Sequence, residues 1–225
     1  MKKLFYFALA VLSWTAVQSQ KAEDFIERAN QGSAASQYNL GVCYEEGWGT
    51  EKDFALARQW YEKAALQGLA KAQYNLGILY FEGRGVKKNS GLAVYWFEKA
   101  ALQELTPAML YLGNCYKDSL GVKRNFDSAV YWLDKAWQDS SYEAAVSLAF
   151  CYYNGWGVNK NYETAVVLWE RAAEKGYVDA QYNVATCYEQ GTGVVQNMIK
   201  AMYWYSQAAM KGHKESEKRL KEIRH

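Results

Sequence analysis

The hydrophobic positions of this chain repeat with a period of 36 residues. A column of leucine or valine consists of Leu40, Leu76, Leu112, Leu148, Val184 and Leu220. A column of tyrosine consists of Tyr44, Tyr80, Tyr116, Tyr152 and Tyr188. Within each period the apolar and small residues are three or four positions apart, which is the spacing of one helix face. The pattern therefore predicts a repeat protein in which each repeat is a pair of α-helices.

The period divides the chain into five repeats and two partial ones. We place the repeats at residues 33–68, 69–104, 105–140, 141–176 and 177–212. Residues 20–32 match the end of a second helix, and residues 213–225 match a first helix that is nearly all charged. A stack of repeats needs polar ends to stop without exposing its core, so both segments are expected to be capping half-repeats.

Glycine pairs and polar residues mark the helix boundaries inside each repeat. A Gly-x-Gly pair follows the first helix and is weakened to Ser119 and Gly121 in the third repeat. Glycine ends a helix by adopting positive φ, whereas a phosphate-binding loop would need a preceding strand and a following Lys-Ser/Thr. The residues expected to cap the second helices are Asp53, Asn89, Asn125, Asn161 and Asn197. In the third repeat, Thr106 is predicted to be an N-cap, with Pro107 as the first helical residue.

Small and large residues also alternate between the two helices of a repeat. The small position of the first helix is occupied by Gly41, Gly77, Gly113, Ala149 and Ala185. We expect the recurring alanines of the second helix to face it. Space between repeats is then left for the large residues Trp60, Trp96, Trp132, Leu168 and Trp204.

The sequence of the second repeat resembles a known family. The string Ala72-Gln73-Tyr74-Asn75-Leu76-Gly77 continues with Tyr80, Gly83, Gly85, Ala93, Trp96, Phe97, Ala100 and Ala101. It is similar to the Sel-1-like repeat, a branch of the tetratricopeptide superfamily, and the resemblance covers the chain after residue 20. The resemblance implies an all-α, right-handed α-solenoid of helix-turn-helix repeats whose first helices line a concave face. It also implies a scaffold or adaptor that binds a protein or peptide partner.

The resemblance places a candidate groove on first-helix residues around each Leu-Gly pair. The groove residues are Tyr38, Asn39, Tyr74, Asn75, Phe81, Tyr111, Asn114, Lys117, Phe150, Tyr153, Tyr182 and Asn183, flanked by Val42, Glu45, Ile78, Leu110, Val146, Ser147, Thr186 and Glu189. Some relatives use an asparagine at the positions of Asn39, Asn75 and Asn183 to hold a peptide main chain. Aromatic residues and amides suit an extended or helical peptide. The alternative interpretation is that many of these tyrosines fill space between repeats.

The N-terminal residues predict export. Met1-Lys2-Lys3 precede an apolar run from Leu4 to Leu12, and Val17-Gln18-Ser19 resembles a cleavage site. We therefore expect a signal peptide over residues 1–19 and a periplasmic or secreted protein without a membrane span in the mature chain. Removal of Lys2 and Lys3 would leave as many basic as acidic residues, since the full chain has 26 and 24. A balanced charge gives no attraction to nucleic acid.

The cysteines are the remaining candidates for chemistry. Cys43, Cys115, Cys151 and Cys187 share one repeat position. Equivalent positions on stacked helices are about 8–10 Å apart, which exceeds the roughly 7 Å limit of a disulfide. We interpret them as small buried apolar residues and predict no metal or cofactor. Cysteine-rich relatives in this family have been linked to β-lactam hydrolysis, so a hydrolase is the alternative to a non-catalytic scaffold. The chain contains no Ser-x-x-Lys, Ser-Asp-Asn or Lys-Thr-Gly segment.

Overall fold

A computed structural model describes residues 22–223, and in this range the chain forms twelve α-helices. Their bounds are α1 Glu23–Asn30, α2 Ala34–Glu46, α3 Phe54–Leu66, α4 Ala70–Glu82, α5 Ser90–Ala101, α6 Thr106–Asp118, α7 Phe126–Gln138, α8 Tyr142–Asn154, α9 Tyr162–Glu174, α10 Val178–Gln190, α11 Met198–Ala209 and α12 Lys214–Ile223. The all-α prediction is confirmed. The predicted signal peptide over residues 1–19 lies outside the described residues.

The helices belong to two compact halves, one ending at Leu105 and the other beginning at Thr106. In the N-terminal half, α2 pairs with α3 and α4 with α5, while α1 packs on α2 and α3 packs on α4. In the C-terminal half the pairs are α6 with α7, α8 with α9 and α10 with α11, and each pair packs on the helix that follows it. Each pair is one helical hairpin of the predicted repeat.

The predicted caps of the second helices are confirmed. The side chain of Asn125 accepts a hydrogen bond from the backbone N–H of Ser128 at 3.0 Å. Asp53 accepts two such bonds, at 2.8 and 2.9 Å, and the other three capping asparagines each accept one. The first helix of repeat 1 ends at Gly47 with a φ of 77°, where a residue with a Cβ would be strained.

The predicted cap of the third repeat is wrong. Helix α6 begins at Thr106 itself, so Thr106 is its first residue and Pro107 its second. The Thr106 hydroxyl donates a hydrogen bond to the carboxylate of Asp139 rather than accepting one from its own helix. An acceptor close in space thus replaces the local capping bond that the Thr-Pro pair predicted.

The small position of the first helix faces a large side chain of the second helix. A Cβ added to Gly41 would lie 2.6 Å from the Tyr61 ring, and one added to Gly77 would lie 2.6 Å from the Phe97 ring. The recurring alanines also face this position, since the same added Cβ atoms would lie 3.3 Å from the Ala93 carbonyl oxygen at Gly77 and 3.2 Å from the Ala129 carbonyl oxygen at Gly113, but the nearest side chain is a large one. The residues opposite it form a buried column one position after the tryptophans. We call it the ring column because four of its five residues are aromatic, and it consists of Tyr61, Phe97, Leu133, Trp169 and Tyr205.

Two tryptophans of the N-terminal half pack between consecutive repeats, as predicted. Trp60 contacts the cluster that contains Ala29 and Leu40, and Trp96 belongs to the cluster that contains Ala57 and Tyr61. Each tryptophan of this pair therefore covers the apolar face of the repeat before it.

Buried glutamines also join consecutive repeats. The side-chain amides of Gln37, Gln73 and Gln181 each donate to the carbonyl eight residues earlier, at 3.1 Å in every case. The side-chain oxygens of the first two accept hydrogen bonds from the amides of Gln67 and Gln103, at 2.7 and 2.8 Å. The side-chain oxygen of Gln181 has no hydrogen-bond partner in the part of the chain that the structure describes. Sequence analysis did not identify this network.

Candidate functional site

The candidate groove residues are partly exposed side chains of the first helices. Five lie on α2 and α4 of the N-terminal half, namely Tyr38, Asn39, Tyr74, Asn75 and Phe81. Seven lie on α6, α8 and α10 of the C-terminal half, namely Tyr111, Asn114, Lys117, Phe150, Tyr153, Tyr182 and Asn183. The flanking residue Leu110 is only 8% exposed. Its assignment to the groove is therefore wrong, because it belongs to the core.

Most of the aromatic groove residues pack on the ring column. Tyr38 contacts Tyr61, with ring centroids 5.8 Å apart. Phe150 and Tyr153 both contact Trp169, at 5.1 and 5.4 Å. These rings thus fill space within a repeat and also keep part of their surface exposed. A ring held in this way offers contact area without losing much conformational entropy on binding.

A closed polar network lies among the groove residues of the N-terminal half. The Tyr61 hydroxyl donates to Glu45 at 2.6 Å, and Arg84 forms an ion pair with the same carboxylate at 3.1 Å. The Asn75 side chain hydrogen-bonds the hydroxyls of Tyr38 and Tyr61. Burial raises the pKa values of both tyrosines, so both hydroxyls stay protonated. The hydroxyls and the Glu45 carboxylate are thus used inside the protein.

A similar network lies at the end of the C-terminal half. The Tyr205 hydroxyl donates to Glu189 at 2.7 Å, and Arg219 of α12 binds the same carboxylate through its guanidinium, with Nε 2.9 Å from Oε1. The hydrogen bonds from Arg219 outweigh burial and hold the pKa of Glu189 below its usual value. Thr186 hydrogen-bonds the Tyr205 hydroxyl at 3.1 Å.

Sequence analysis missed the arginines of both networks and the tyrosines that join them. The available signal was a correlation between two columns. Glu45 and Glu189 occur in the two repeats whose ring column carries a tyrosine, Tyr61 and Tyr205. The tyrosine hydroxyl can donate to a carboxylate, whereas Phe97 and Leu133 at the same position have no donor, so tyrosine and glutamate occur together.

Lys117 is not a free cation of the groove. Its ammonium lies 2.7 Å from the carboxylate of the adjacent Asp118. A partner carboxylate would therefore compete with an existing ion pair at this position.

Two buried hydrogen-bond donors of the C-terminal half have no partner among residues 22–223. They are Nδ2 of Asn183 and Nε1 of Trp169. Asn183 occupies the repeat position of Asn75, while Val146 and Trp169 occupy the positions of Tyr38 and Tyr61. Neither Val146 nor Trp169 has an oxygen, so the acceptors that satisfy Asn75 in the N-terminal half are missing here.

A cleft opens between the starts of consecutive first helices in each half. In the N-terminal half it has a volume of about 530 Å³ and is lined by residues that include Tyr38, Asn39 and Lys71. In the C-terminal half it has a volume of about 210 Å³ and is lined by Glu143, Val146, Tyr177, Val178 and Asp179. Lys71 and Asp179 occupy the same repeat position. The two clefts therefore differ in charge, and the second is acidic.

The four cysteines are buried and free. Burial raises their pKa values, to about 11 for Cys115, Cys151 and Cys187. A thiol that stays protonated at neutral pH is a weak nucleophile and a weak metal ligand. Their environment agrees with the interpretation of this position as a small apolar site.

No helix within residues 22–223 is both long and apolar enough to cross a membrane.

The hairpins of both halves, with polar networks and partly exposed rings on their first helices, define a helical-repeat scaffold. The model of the Sel1 repeat matches residues 34–69, 70–105, 106–136, 143–177 and 178–213. The chain belongs to the Sel1 repeat family.

Solved structures agree with this assignment. The chain is 35% identical to a protective antigen of uropathogenic Escherichia coli strains that displays an SLR fold, over 88% of this chain and 43% of that chain, with a TM-score of 0.83. The chain thus spans less than half of that antigen. It is 37% identical to a Sel1 repeat protein from Oxalobacter formigenes, over 86% of this chain and 79% of that chain, with a TM-score of 0.79.

An immunity protein from Pseudomonas aeruginosa is 24% identical over 81% of this chain and 66% of that chain, with a TM-score of 0.50, and it shares the fold alone. No curated protein matches the chain.

Proposed function

We propose that this protein is an exported, non-catalytic scaffold that binds a peptide segment of a partner protein on the first helices of its C-terminal half. The observation that carries the proposal is the pair of unpaired donors, Asn183 Nδ2 and Trp169 Nε1. They belong to the same part of the fold as the partly exposed rings of Phe150 and Tyr153, since both rings pack on Trp169.

A bound peptide would satisfy these donors once the side chains that cover them move aside, since neither atom is accessible to solvent in the free protein. A buried donor without an acceptor destabilises a protein by about 1–3 kcal/mol. A main-chain carbonyl of an extended peptide is an acceptor that every peptide carries, so it would relieve this cost regardless of the peptide sequence. In the N-terminal half the corresponding amide of Asn75 already bonds two tyrosine hydroxyls. This difference favours the C-terminal half as the binding site.

The side chains near the donors favour a peptide that carries one apolar side chain and one basic side chain. Phe150 and Tyr153 are held by the Trp169 ring and give apolar contacts to a peptide side chain. Glu143 and Asp179 line the adjacent cleft without a basic residue among its lining residues. A lysine or arginine of the peptide would complement these carboxylates.

Selection from a displayed library of random peptides tests the proposal. The library is selected on the parent chain and counter-selected on a variant that carries Tyr111→Ser, Phe150→Ser and Tyr153→Ser. We expect the enriched peptides to bind the parent and to lose at least about tenfold in affinity for the triple variant. The matched control carries Tyr95→Ser and Tyr131→Ser, which remove exposed rings from second helices. Unchanged binding to a folded triple variant, shown by circular dichroism, would move the site away from this face.

The unpaired donors are tested separately with two conservative variants. Trp169→Phe removes the indole N–H and keeps a ring that repeat 2 already carries as Phe97. Asn183→Ala removes the amide. Each is expected to weaken peptide binding about tenfold, which corresponds to one lost hydrogen bond to a buried donor. Asn39→Ala is the control in the N-terminal half. Equal binding by all three variants would show that the donors do not contact the peptide.

Export and the absence of catalysis have tests of their own. The signal-peptide pattern over residues 1–19 supports export, and the test is N-terminal sequencing of the mature protein, which should begin at Gln20. A nitrocefin assay tests the hydrolase alternative. Turnover that disappears on heat denaturation would contradict the scaffold proposal.

A further inference from the structure

The second helix of the fifth repeat exposes an uncharged apolar row on its outer face. On a helix, positions i, i+4, i+7 and i+11 share one face, and here they are Ile199, Tyr203, Ser206 and Met210. Val195 precedes the helix four residues before Ile199. The exposed fractions are 89% for Val195, 83% for Ile199, 55% for Tyr203 and 69% for Met210. We call these five residues the outer row.

Each of the other four repeats has at least one charged residue in the same row, so the outer row can be compared with its equivalents within the chain. The corresponding residues are Glu51, Ala55, Gln59, Glu62 and Leu66 in repeat 1, Lys87, Gly91, Tyr95, Glu98 and Leu102 in repeat 2, Lys123, Asp127, Tyr131, Asp134 and Gln138 in repeat 3, and Asn159, Glu163, Val167, Glu170 and Glu174 in repeat 4. A shared packing role would give similar residues in all five repeats. The apolar character of the fifth row is therefore a property of that repeat and not of the fold.

The charged residues that flank the outer row in the sequence are basic, and Glu170 of α9 lies beside one of them, Lys200, because both bond the Tyr188 hydroxyl. From Gln190 to Lys214 the sequence contains Lys200, Lys211 and Lys214 and no acidic residue. Lys211 and Lys214 follow the end of α11, next to Met210. An apolar surface with cations at its edge complements an apolar surface with carboxylates at its edge.

The shape of the row suits a helix. Ile199 and Met210 are 11 positions apart, which is about 16 Å along the axis. Such a length matches three turns of a partner helix with apolar residues at i, i+3, i+4 and i+7. Tyr203 is held in place by an edge contact with Trp204 at 5.0 Å, and methionine adapts its shape to a partner surface.

We propose that the outer row binds an amphipathic helix of a partner protein whose apolar seam is flanked by acidic residues. A second copy of this chain fits less well, because a two-fold pairing would bring the same lysines of both copies together. An anionic membrane also fits less well. Recognition of such membranes uses clusters of about 4–8 basic residues, and two of the three lysines here are already hydrogen-bonded, Lys200 to the Tyr188 hydroxyl at 3.0 Å and Lys211 to the Gly176 carbonyl at 2.6 Å.

The test uses two fluorescent synthetic peptides with the same leucine seam and a length of about 18 residues, or five helical turns. One has glutamate flanks and the other has lysine flanks. Binding to the chain is measured by fluorescence anisotropy. We expect the glutamate-flanked helix to bind about tenfold or more tightly than the lysine-flanked helix, and its binding to weaken as salt is added.

Two matched variants test whether binding depends on the outer row or on exposed apolar residues in general. The row variant carries Val195→Asn, Ile199→Asn and Met210→Gln, which add no charge. Its affinity for the glutamate-flanked helix is expected to fall by about tenfold or more. The control variant carries Leu66→Gln and Leu102→Gln, which remove two equally exposed leucines elsewhere, and it should bind like the parent.

Several results would overturn the proposal. The first is equal binding of the glutamate-flanked helix to the parent and the row variant, and the second is no binding to either. The third is a dimer in sedimentation that the row variant abolishes, which would assign the row to a second copy. The fourth is row-dependent binding to phosphatidylglycerol vesicles without peptide binding, which would assign it to a membrane. The groove variant with Tyr111→Ser, Phe150→Ser and Tyr153→Ser should bind the helix like the parent, so this test and that of the groove fail independently.

Discussion

Replacement of Lys211 by glutamine is expected to stabilise the protein. Gln181 is 3% exposed, and no described residue hydrogen-bonds its side-chain oxygen. In repeat 2 the equivalent oxygen of Gln73 accepts from Gln103 at 2.8 Å, and the same Gln103 amide also reaches the carbonyl of Gly68 at 2.9 Å. Repeat 5 has Lys211 at the position of Gln103, and its ammonium donates only to the Gly176 carbonyl, at 2.6 Å.

The magnitude follows from this difference. A neutral hydrogen bond contributes about 0.5–1.5 kcal/mol, and an unpaired buried acceptor costs about 1–3 kcal/mol. A glutamine at position 211 would supply the missing donor and keep a bond to the Gly176 carbonyl. The loss of one exposed, solvated ammonium offsets part of the gain. We therefore expect Lys211→Gln to raise the free energy of unfolding by about 1 kcal/mol.

Urea denaturation followed by circular dichroism measures the effect as a shift of the midpoint. Lys211→Met is the control that removes the charge without supplying an amide, and it should not stabilise the protein. Gln103→Met removes the existing donor to Gln73 and should lower the free energy of unfolding by about 1 kcal/mol. An unchanged midpoint for Lys211→Gln, or an equal shift for Lys211→Met, would show that the Gln181 oxygen does not lack a donor that residue 211 can supply.

Three further predictions test the stability and reactivity of the chain. Glu104→Gly and Ser140→Gly, at residues with φ of 60° and 68°, should each stabilise the protein by about 0.5–1 kcal/mol in urea denaturation, because glycine relieves left-handed strain. Glu189→Gln should cost about 1 kcal/mol at pH 7. The pKa of Glu189 is lower in the folded state than the value of about 4.3 in the unfolded state. The cost of the substitution should therefore decrease as the pH falls below about 4.3, and it should disappear below the folded pKa. The four buried cysteines should resist a thiol reagent at pH 8 and react after denaturation, because burial raises the pKa of each, and the value of about 11 for Cys115, Cys151 and Cys187 leaves only about 0.1% thiolate.

The parts of the fold that sequence analysis predicted depend on local interactions. A capping asparagine such as Asn125 bonds an amide three residues later, so the repeat period together with residue type was enough to find it. The all-α fold followed from helical spacing of apolar positions. The error at Thr106 has the opposite cause, because its hydroxyl bonds Asp139, which is 33 residues away.

The polar groups of the candidate site depend on contacts between repeats, and a single repeat does not reveal them. Asn75 is satisfied by Tyr38 and Tyr61, which belong to the preceding repeat. The sequence pattern identified the asparagine column but treated its members as equivalent. Asn183 differs only because its neighbours one repeat earlier are Val146 and Trp169, which lack hydroxyls.

In a repeat protein, each residue can be compared with the residues at the same position of the other repeats. This comparison distinguishes two kinds of deviation. At Glu104 the chain replaces the glycine of Gly68 and accepts left-handed strain, which the single substitution Glu104→Gly would relieve. At Val146 and Trp169 the deviation instead removes acceptors and leaves two buried donors unpaired. A local rule that is broken without compensation indicates either strain or a functional site. The second deviation leaves hydrogen-bond donors without acceptors near partly exposed rings, and a ligand can supply the missing acceptors. The backbone strain at Glu104, by contrast, cannot be relieved by a ligand.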